Sequence, residues 1–383
     1  MSELLRPRTV SELCVAVRTA GAPFEVIGRG SKRGLGRPVA AEAMLDLSAF
    51  SGIIAYEPEE LYIEAGAATP LTEIEAAADA ANQQLAFEPP DLSPVLGSTA
   101  SATIGGVIAC NLSGPRRLKS GAARDHLLGV TGVNGDGELI KTGAKVVKNV
   151  TGYDLPKLMA GSYGTLMAFT TITLKVLPKP EHEETLVLAG LDDAAAVSAM
   201  SRAMQSSAEV SGAAHVPGEA TYLRLEGIPA SIAYRRDKLM SLLGGGIALL
   251  DGPASAATWK NIASVKPLTG DNSRLLWRLS LPPLDAPAAV ARIAATSDCR
   301  YLYDWAGGLV WLDLPYTEDG AVDLVRGAFA SGHATLVRAP AGLRARIDVF
   351  QPQATALAAL TVRVKASFDP RRLLNPGRMY RDV

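Results

Sequence analysis

The chain has 383 residues, among them 36 glycines and 24 prolines, and a formal net charge of −1. That length exceeds one ordinary domain and fits two or three. A chain this close to neutral exerts no overall electrostatic pull on DNA, RNA or an anionic membrane; hydrophobic residues reach 48% with only 5% aromatic, so cores built from Ala, Val and Leu are expected.

Taken from the N-terminus, MSELLRPRTVSEL has no apolar stretch of the signal-peptide kind. Thr9 and Glu12 stand at capping-box spacing, which predicts a helix start. Val10, Leu13, Cys14 and Val17 follow at i, i+3, i+4 and i+7, one apolar face, and Gly21 and Pro23 end the helix. Phe24–Ile27 reads as a short strand that runs straight into GRGSKRGLG. Further strands are expected near Met44–Leu47 and Leu61–Ala65. Thr69-Pro70 predicts a second helix, with Thr69 as its cap and proline at the first helical position. Leu71, Ile74, Ala78, Ala81 and Leu85 then recur at helical spacing.

From Phe87 to Pro178, glycine and small polar residues interrupt the apolar runs. They do so in PPDLSPVLGSTASATIGGVIACNLSGPRR and again in KNVTGYDLPKLMAGSYGTLMAFTTITLKVLP, whose end alternates like a strand. Beyond Pro180 the texture turns Ala- and Leu-rich. Asp192 or Asp193 is expected to cap one helix and Asp285 another, while Gly308–Leu314 and Ala334–Val337 read as strands. All four tryptophans, Trp259, Trp277, Trp305 and Trp311, fall in this region, either as core or as partner anchors. A first domain over residues 1–180, a separate α+β domain over 181–345 and a tail over 346–383 are expected. The tail ends in FDPRRLLNPGRMY, a helix followed by a fixed turn. No run of about 18 apolar residues is present, so no transmembrane segment is expected.

Cys14, Cys110 and Cys299 stand far apart with no CxxC, which suits a reducing, cytoplasmic compartment. A cubane iron–sulfur cluster takes four thiolates, so these three cannot hold one alone. The four histidines, His126, His182, His215 and His333, are scattered, with none at metal-ligand spacing.

The chemistry points to the glycines. A dinucleotide pyrophosphate needs many donors at short range, and backbone N–H groups of a glycine-rich turn supply them. Gly28, Gly30, Gly34 and Gly36 follow a strand directly, with Ser31 adding a hydroxyl and Arg29, Lys32, Arg33 and Arg37 adding positive charge. An ordinary basic surface turn would carry the same residues. The loop has neither the G-x-G-x-x-G spacing of a Rossmann turn nor the GK[ST] of a Walker loop. A second set, Gly97-Ser98-Thr99 and Thr103-Ile104-Gly105-Gly106, makes a short-side-chain wall with scattered hydroxyls. Such a wall suits a ring system and its polar chain.

Together, ATIGGVIACNLSGPRR, GAARDHLLGV, KNVTGYDLPKLMAGSYGTL and FDPRRLLNPGRMY, with GRGSKRGLG, resemble the FAD-linked oxidase family with the vanillyl-alcohol-oxidase type of flavin domain. Within that family the resemblance runs to the FAD-binding subunits of bacterial glycolate oxidases. It covers roughly the first 180 residues and the last 15. It implies an α+β fold: a two-subdomain FAD-binding domain plus a reduced α+β cap domain. It implies that Gly28, Arg29, Gly30, Ser31 and Lys32 form the pyrophosphate loop. Gly97, Ser98, Thr103, Gly105 and Gly106 would line the ribityl and isoalloxazine side, with Asn111, Ser113 and Gly114 beyond; Pro90 and Thr99 would also bind the cofactor. Gly161, Gly164, Thr165, Ala168 and Phe169 would approach the adenine end, and Asn375 and Gly377 would return toward the flavin.

The departures matter too. Family members with covalent FAD often have a histidine where Ser31 stands, so the implied FAD is non-covalent. Tyr163 stands where the family commonly has Glu. The HxGDGNxH-like motif that catalytic relatives use on a 2-hydroxy acid has no counterpart, and no catalytic residue is assigned. Arg116 and Arg117 could bind a carboxylate, or be a solvated or interface pair. The implied role is electron transfer within a complex with a sister FAD-linked oxidase subunit and an iron–sulfur subunit, peripheral to the inner membrane through those partners. Two alternatives stay open: a self-sufficient 2-hydroxy-acid dehydrogenase with His333 or His126 as base, and a structural subunit whose FAD does no chemistry.

Overall fold

The computed structural model describes residues 3–143 and 153–383. The KNVTG start of one motif therefore lies outside the described residues. The chain forms two compact units, Met1–Leu112 with Ala122–Pro178 and Arg344–Val383, and Ser113–Gly121 with Lys179–Leu343.

In the first unit the helix Val10–Arg18 opens on Thr9, whose hydroxyl accepts from the Glu12 N–H at 3.2 Å. The Glu12 carboxylate reaches back one residue further than a capping box requires, to the Arg8 N–H at 2.7 Å. Leu13 and Val17 pack on a three-stranded parallel sheet ordered Glu3–Leu5, Ala43–Asp46, Phe24–Ile27. A second, antiparallel sheet runs Ile53–Glu57, Tyr62–Gly66, Ala168–Lys175, Leu127–Val133, Leu139–Gly143. Its core gathers Ile63, Ile74, Phe87, Ile104, Val107, Ile108 and Ile172.

Thr69 does not cap the second helix. Its hydroxyl is fully buried, accepting from the Gly52 N–H at 2.9 Å and donating to the Gly66 carbonyl at 2.6 Å. The helix spans Leu71–Ala80 behind Pro70 and stops short of Leu85, because Asn82 takes a left-handed φ of 53°.

The second unit is an eight-stranded antiparallel sheet whose order starts Ile247–Asp251, His182–Leu188, Ala220–Gly227, Gly212–Val216 and ends Arg300–Asp304, Leu309–Leu314, Leu275–Ser280, His333–Arg338. Asp192 caps the helix Asp193–Gln205 by accepting from the Ala195 N–H at 2.8 Å. Asp285 precedes the helix Ala286–Ala294 but its side chain makes no cap bond. All four tryptophans are buried within this unit. Arg116 is not solvated: it is held by Glu226 at 2.7 Å and Glu183 at 3.4 Å, while Arg117 stacks 4.5 Å over Trp305. Among the described residues no helix is long and apolar enough to cross a membrane, and none of the acidic, His and Cys side chains group as metal ligands.

Candidate functional site

The first unit carries a cleft of about 740 Å³, counting its open mouth. Sequence segments far apart build it: the loop Gly28–Arg33, Ala67 and Ala68 after the strand Tyr62–Gly66, the helix Ile104–Ala109 with Thr103 and Cys110, the turn Tyr163–Gly164 with Met167 and Phe169, and Asn375 with Arg378.

Each segment is fixed by a local cause. Gly30 takes φ 80°, a conformation that glycine adopts without strain. Gly28 and Gly34 do not take a left-handed φ, and a Cβ added at either would meet its nearest neighbour at an ordinary contact distance, 3.4 and 3.5 Å. Thr103 caps its helix, accepting from the Gly106 N–H at 3.2 Å. At Gly105 an added Cβ would sit 2.6 Å from the Ala67 carbonyl oxygen, so only glycine lets this helix lie against the sheet.

The C-terminal segment is held by three hubs. Asp369, fully buried, accepts from the Leu373 and Leu374 N–H groups at 2.9 and 2.7 Å and pairs with Lys365 at 2.7 Å. Asn375 then bridges two cleft walls: Oδ1 accepts from the Val26 N–H at 2.8 Å and Nδ2 donates to the Tyr163 carbonyl at 2.9 Å. Arg378 donates to the Lys32 carbonyl at 2.7 Å, and its own carbonyl accepts from the Arg37 N–H at 2.8 Å.

The electrostatics are one-sided. Arg29, Lys32, Arg33 and Arg378 line the cleft, and among the described residues no Asp, Glu or His does. Burial depresses the Lys32 ammonium below its ordinary range, with Cys110 and Asp91 opposing. Burial likewise works against the Arg378 charge. Burial also pushes the Cys110 thiol up, although Lys32 and Arg378 pull the other way.

The cleft brings together Gly28, Arg29, Gly30, Ser31, Lys32, Thr103, Gly105, Gly106, Gly164, Phe169 and Asn375. The remaining expected residues stand off it. Pro90 is buried, whereas Gly97 and Thr99 are exposed and Ser98 is half-buried. Asn111 accepts from the Arg124 N–H at 3.1 Å, and a Cβ added at Gly161 would sit 3.4 Å from the Asn111 Cβ. Thr165 and Ala168 are core residues. Gly377 turns the chain back, its N–H donating to the Val383 carbonyl at 2.6 Å. Ser113 and Gly114 belong to the second unit, where the Gly114 carbonyl takes the Trp305 indole N–H at 3.0 Å. His126 packs against Phe87 and His333 is exposed on a strand; neither lines the cleft.

Arg378, Cys110, Tyr163 and Ala67 were not anticipated. The only sequence signal for Arg378 was its place three residues after Asn375 in NPGR.

The small-residue wall and the cationic loop fit a flavin dinucleotide, whose ring needs close approach and whose phosphates need positive charge. Residues 2–143 match the family described as "FAD binding domain". The chain is 35% identical to the glycolate oxidase subunit GlcE of Escherichia coli K12 over 361 residues, 94% of this chain and 93% of that one.

The chain belongs to the FAD-linked oxidase family.

Like other members of this family, it is an FAD-dependent oxidoreductase with the vanillyl-alcohol-oxidase type of flavin domain. A second family member, the glycolate oxidase subunit GlcD of Bacillus subtilis, is 46% identical over 101 residues, covering 26% of this chain and 21% of that one. Among solved structures, an alkyldihydroxyacetonephosphate synthase superposes with a TM-score of 0.68 at 13% identity, over 97% of this chain and 75% of the other. That likeness speaks for the fold alone.

Proposed function

We propose that this chain is the FAD-carrying, electron-transferring subunit of a glycolate oxidase complex. The observation that carries the reading is a cleft whose described lining has cations and small residues but no histidine or carboxylate, in a chain that matches GlcE across nearly its full length. Oxidising glycolate to glyoxylate requires a base for the hydroxyl proton and a hydride acceptor. When bound, FAD accepts electrons; the residues lining its cleft supply binding and orientation, and among the described residues no carboxylate or imidazole base stands with them.

The FAD is held without a covalent bond. Ser31 occupies the loop, and burial pushes up the Cys110 thiol in the cleft, which disfavours the nucleophilic thiolate. Gly28–Lys32 face the pyrophosphate; Thr103, Gly105 and Gly106 face the ribityl chain and ring; Gly164 and Phe169 face the adenine end. Residues 1–180 act as the FAD domain, 181–345 as the cap and 346–383 as the segment that returns to the flavin. A sister FAD-linked oxidase subunit oxidises the substrate, and an iron–sulfur subunit takes the electrons on, peripheral to the cytoplasmic face of the membrane.

The test is anaerobic reduction by glycolate, followed by absorbance. The isolated chain should stay oxidised, and its flavin should be reduced once the sister subunit is co-purified with it. Full glycolate turnover by the isolated chain overturns the proposal.

A further inference from the structure

Two buried cations in the cleft are only weakly paired within the protein itself. Arg378 is 7% exposed and Lys32 9%. One Nη of Arg378 donates to the Lys32 carbonyl, the other comes no closer than 3.6 Å to Glu25, and Nε has no hydrogen-bond partner among the described residues. Glu25 is already engaged by Arg33, at 2.8 and 2.5 Å. The Lys32 ammonium makes one hydrogen bond, at 3.4 Å to Ser31 Oγ. Removing a cation from water without an anion is costly, and both lie on the wall of the same cleft.

We infer that Arg378 is the side-chain counterion of the FAD diphosphate and, with Lys32, clamps it against the Gly28–Lys32 loop. The inference rests on the flavin reading of the cleft. The charges match, because two cations meet the two negative charges of a diphosphate. The shape matches as well: the planar edge of a guanidinium presents parallel N–H donors to phosphate oxygens, where an ammonium acts as a point charge. Arg378 does not reach this place by local chance. Asn375 ties the segment to Val26 and Tyr163, Phe24 N–H donates to the Leu373 carbonyl at 2.7 Å, and Arg344 donates to the Gly36 carbonyl at 2.6 Å behind the loop. The loop supplies backbone donors, and the chain supplies the matching side-chain charge from 346 residues away.

The experiment uses flavin-stripped full-length protein and calorimetric titration with ADP, adenosine, FAD and riboflavin. Arg378→Met should weaken ADP and FAD by roughly ten- to a hundredfold, the range for hydrogen bonds to a charged group. It should leave adenosine and riboflavin within about twofold, and Arg378→Lys should recover part of the loss, as charge without the planar edge would. Unchanged ADP binding by Arg378→Met overturns the inference. So does an equal loss for riboflavin and adenosine, which would place Arg378 at the ring or make it merely structural. Should Arg378→Met fail to fold, Lys32→Met takes the same four titrations with the same expected split, and no selective loss of ADP there overturns the clamp. If the parent protein binds no FAD, the flavin reading fails instead; if it binds FAD and the variants bind equally well, only this inference fails.

Discussion

In the second unit Asp313 is fully buried, and three arginines converge on it: Arg338 at 2.7 Å, Arg300 at 3.1 Å, and Arg274, which also meets Asp298 at 3.3 Å. In the cleft of the first unit Lys32 and Arg378 are also buried, yet Glu25, 3.6 Å from Arg378, is engaged by Arg33, and Asp91 acts on Lys32 without an ion pair among the described residues. Both places concentrate positive charge out of water. In the first the protein supplies the anion, and in the second it leaves one to be supplied. Buried charge is therefore informative only with its partner counted: a satisfied cluster is architecture, and an unsatisfied one is a request for a ligand.

The largest effect should come from removing the internal anion. Asp313→Asn leaves three guanidinium groups facing one neutral amide and should cost about 3–5 kcal/mol, as breaking a buried pair does. Urea unfolding followed by tryptophan fluorescence reads it directly, since all four tryptophans lie in that unit. A loss under about 1 kcal/mol would break the comparison. Lys32→Met should do the reverse in flavin-free protein, leaving stability unchanged or raised, because a desolvated cation is exchanged for an apolar side chain. A loss comparable to that of Asp313→Asn would mean the Lys32 charge is already compensated.

A pH titration sharpens the same point. The folded, flavin-free Lys32 titrates below its ordinary 10.5 because of burial. Between that lowered value and 10.5 the unfolded chain holds more protons, so flavin-free stability should rise with pH across the window. A bound diphosphate favours the ammonium and lifts its pKa back. FAD binding should then take up protons, and affinity should fall as pH climbs through the window. Calorimetry in buffers of different ionisation enthalpy measures the uptake, and Lys32→Met should abolish it. The smallest effect belongs to Arg33, half-exposed and spent on Glu25. Arg33→Gln should change stability by less than about 1 kcal/mol and FAD affinity by less than about threefold on the same basis.

Much of this was legible in the sequence. Thr9 and Asp192 announce their helices because cap chemistry is local: the acceptor and its N–H lie three residues apart. The glycine loop was legible for the same reason. Thr69 misleads because its hydroxyl has a better use across the fold, on Gly52 and Gly66, than at the helix beside it. Arg378 escapes because nothing near it says which wall it joins; Asn375 decides that through Val26 and Tyr163. Ser113 and Gly114 follow the cleft-lining Gly105 and Gly106 closely in sequence, yet the Trp305 indole takes Gly114 into the other unit. Proximity along the chain was a sound guide to hydrogen-bonded turns and a poor one to which wall a residue joins.

The placement of Arg378 bears on how the protein is made. Translation delivers the glycine loop early and the arginine that completes it 346 residues later. On the proposed clamp, the nascent chain carries the loop and Lys32 without Arg378 through most of its synthesis. Stable loading of the cofactor thus belongs after the ribosome has delivered Arg378, and a chain stalled before that residue would emerge able to fold much of its first unit but poorly able to retain a dinucleotide.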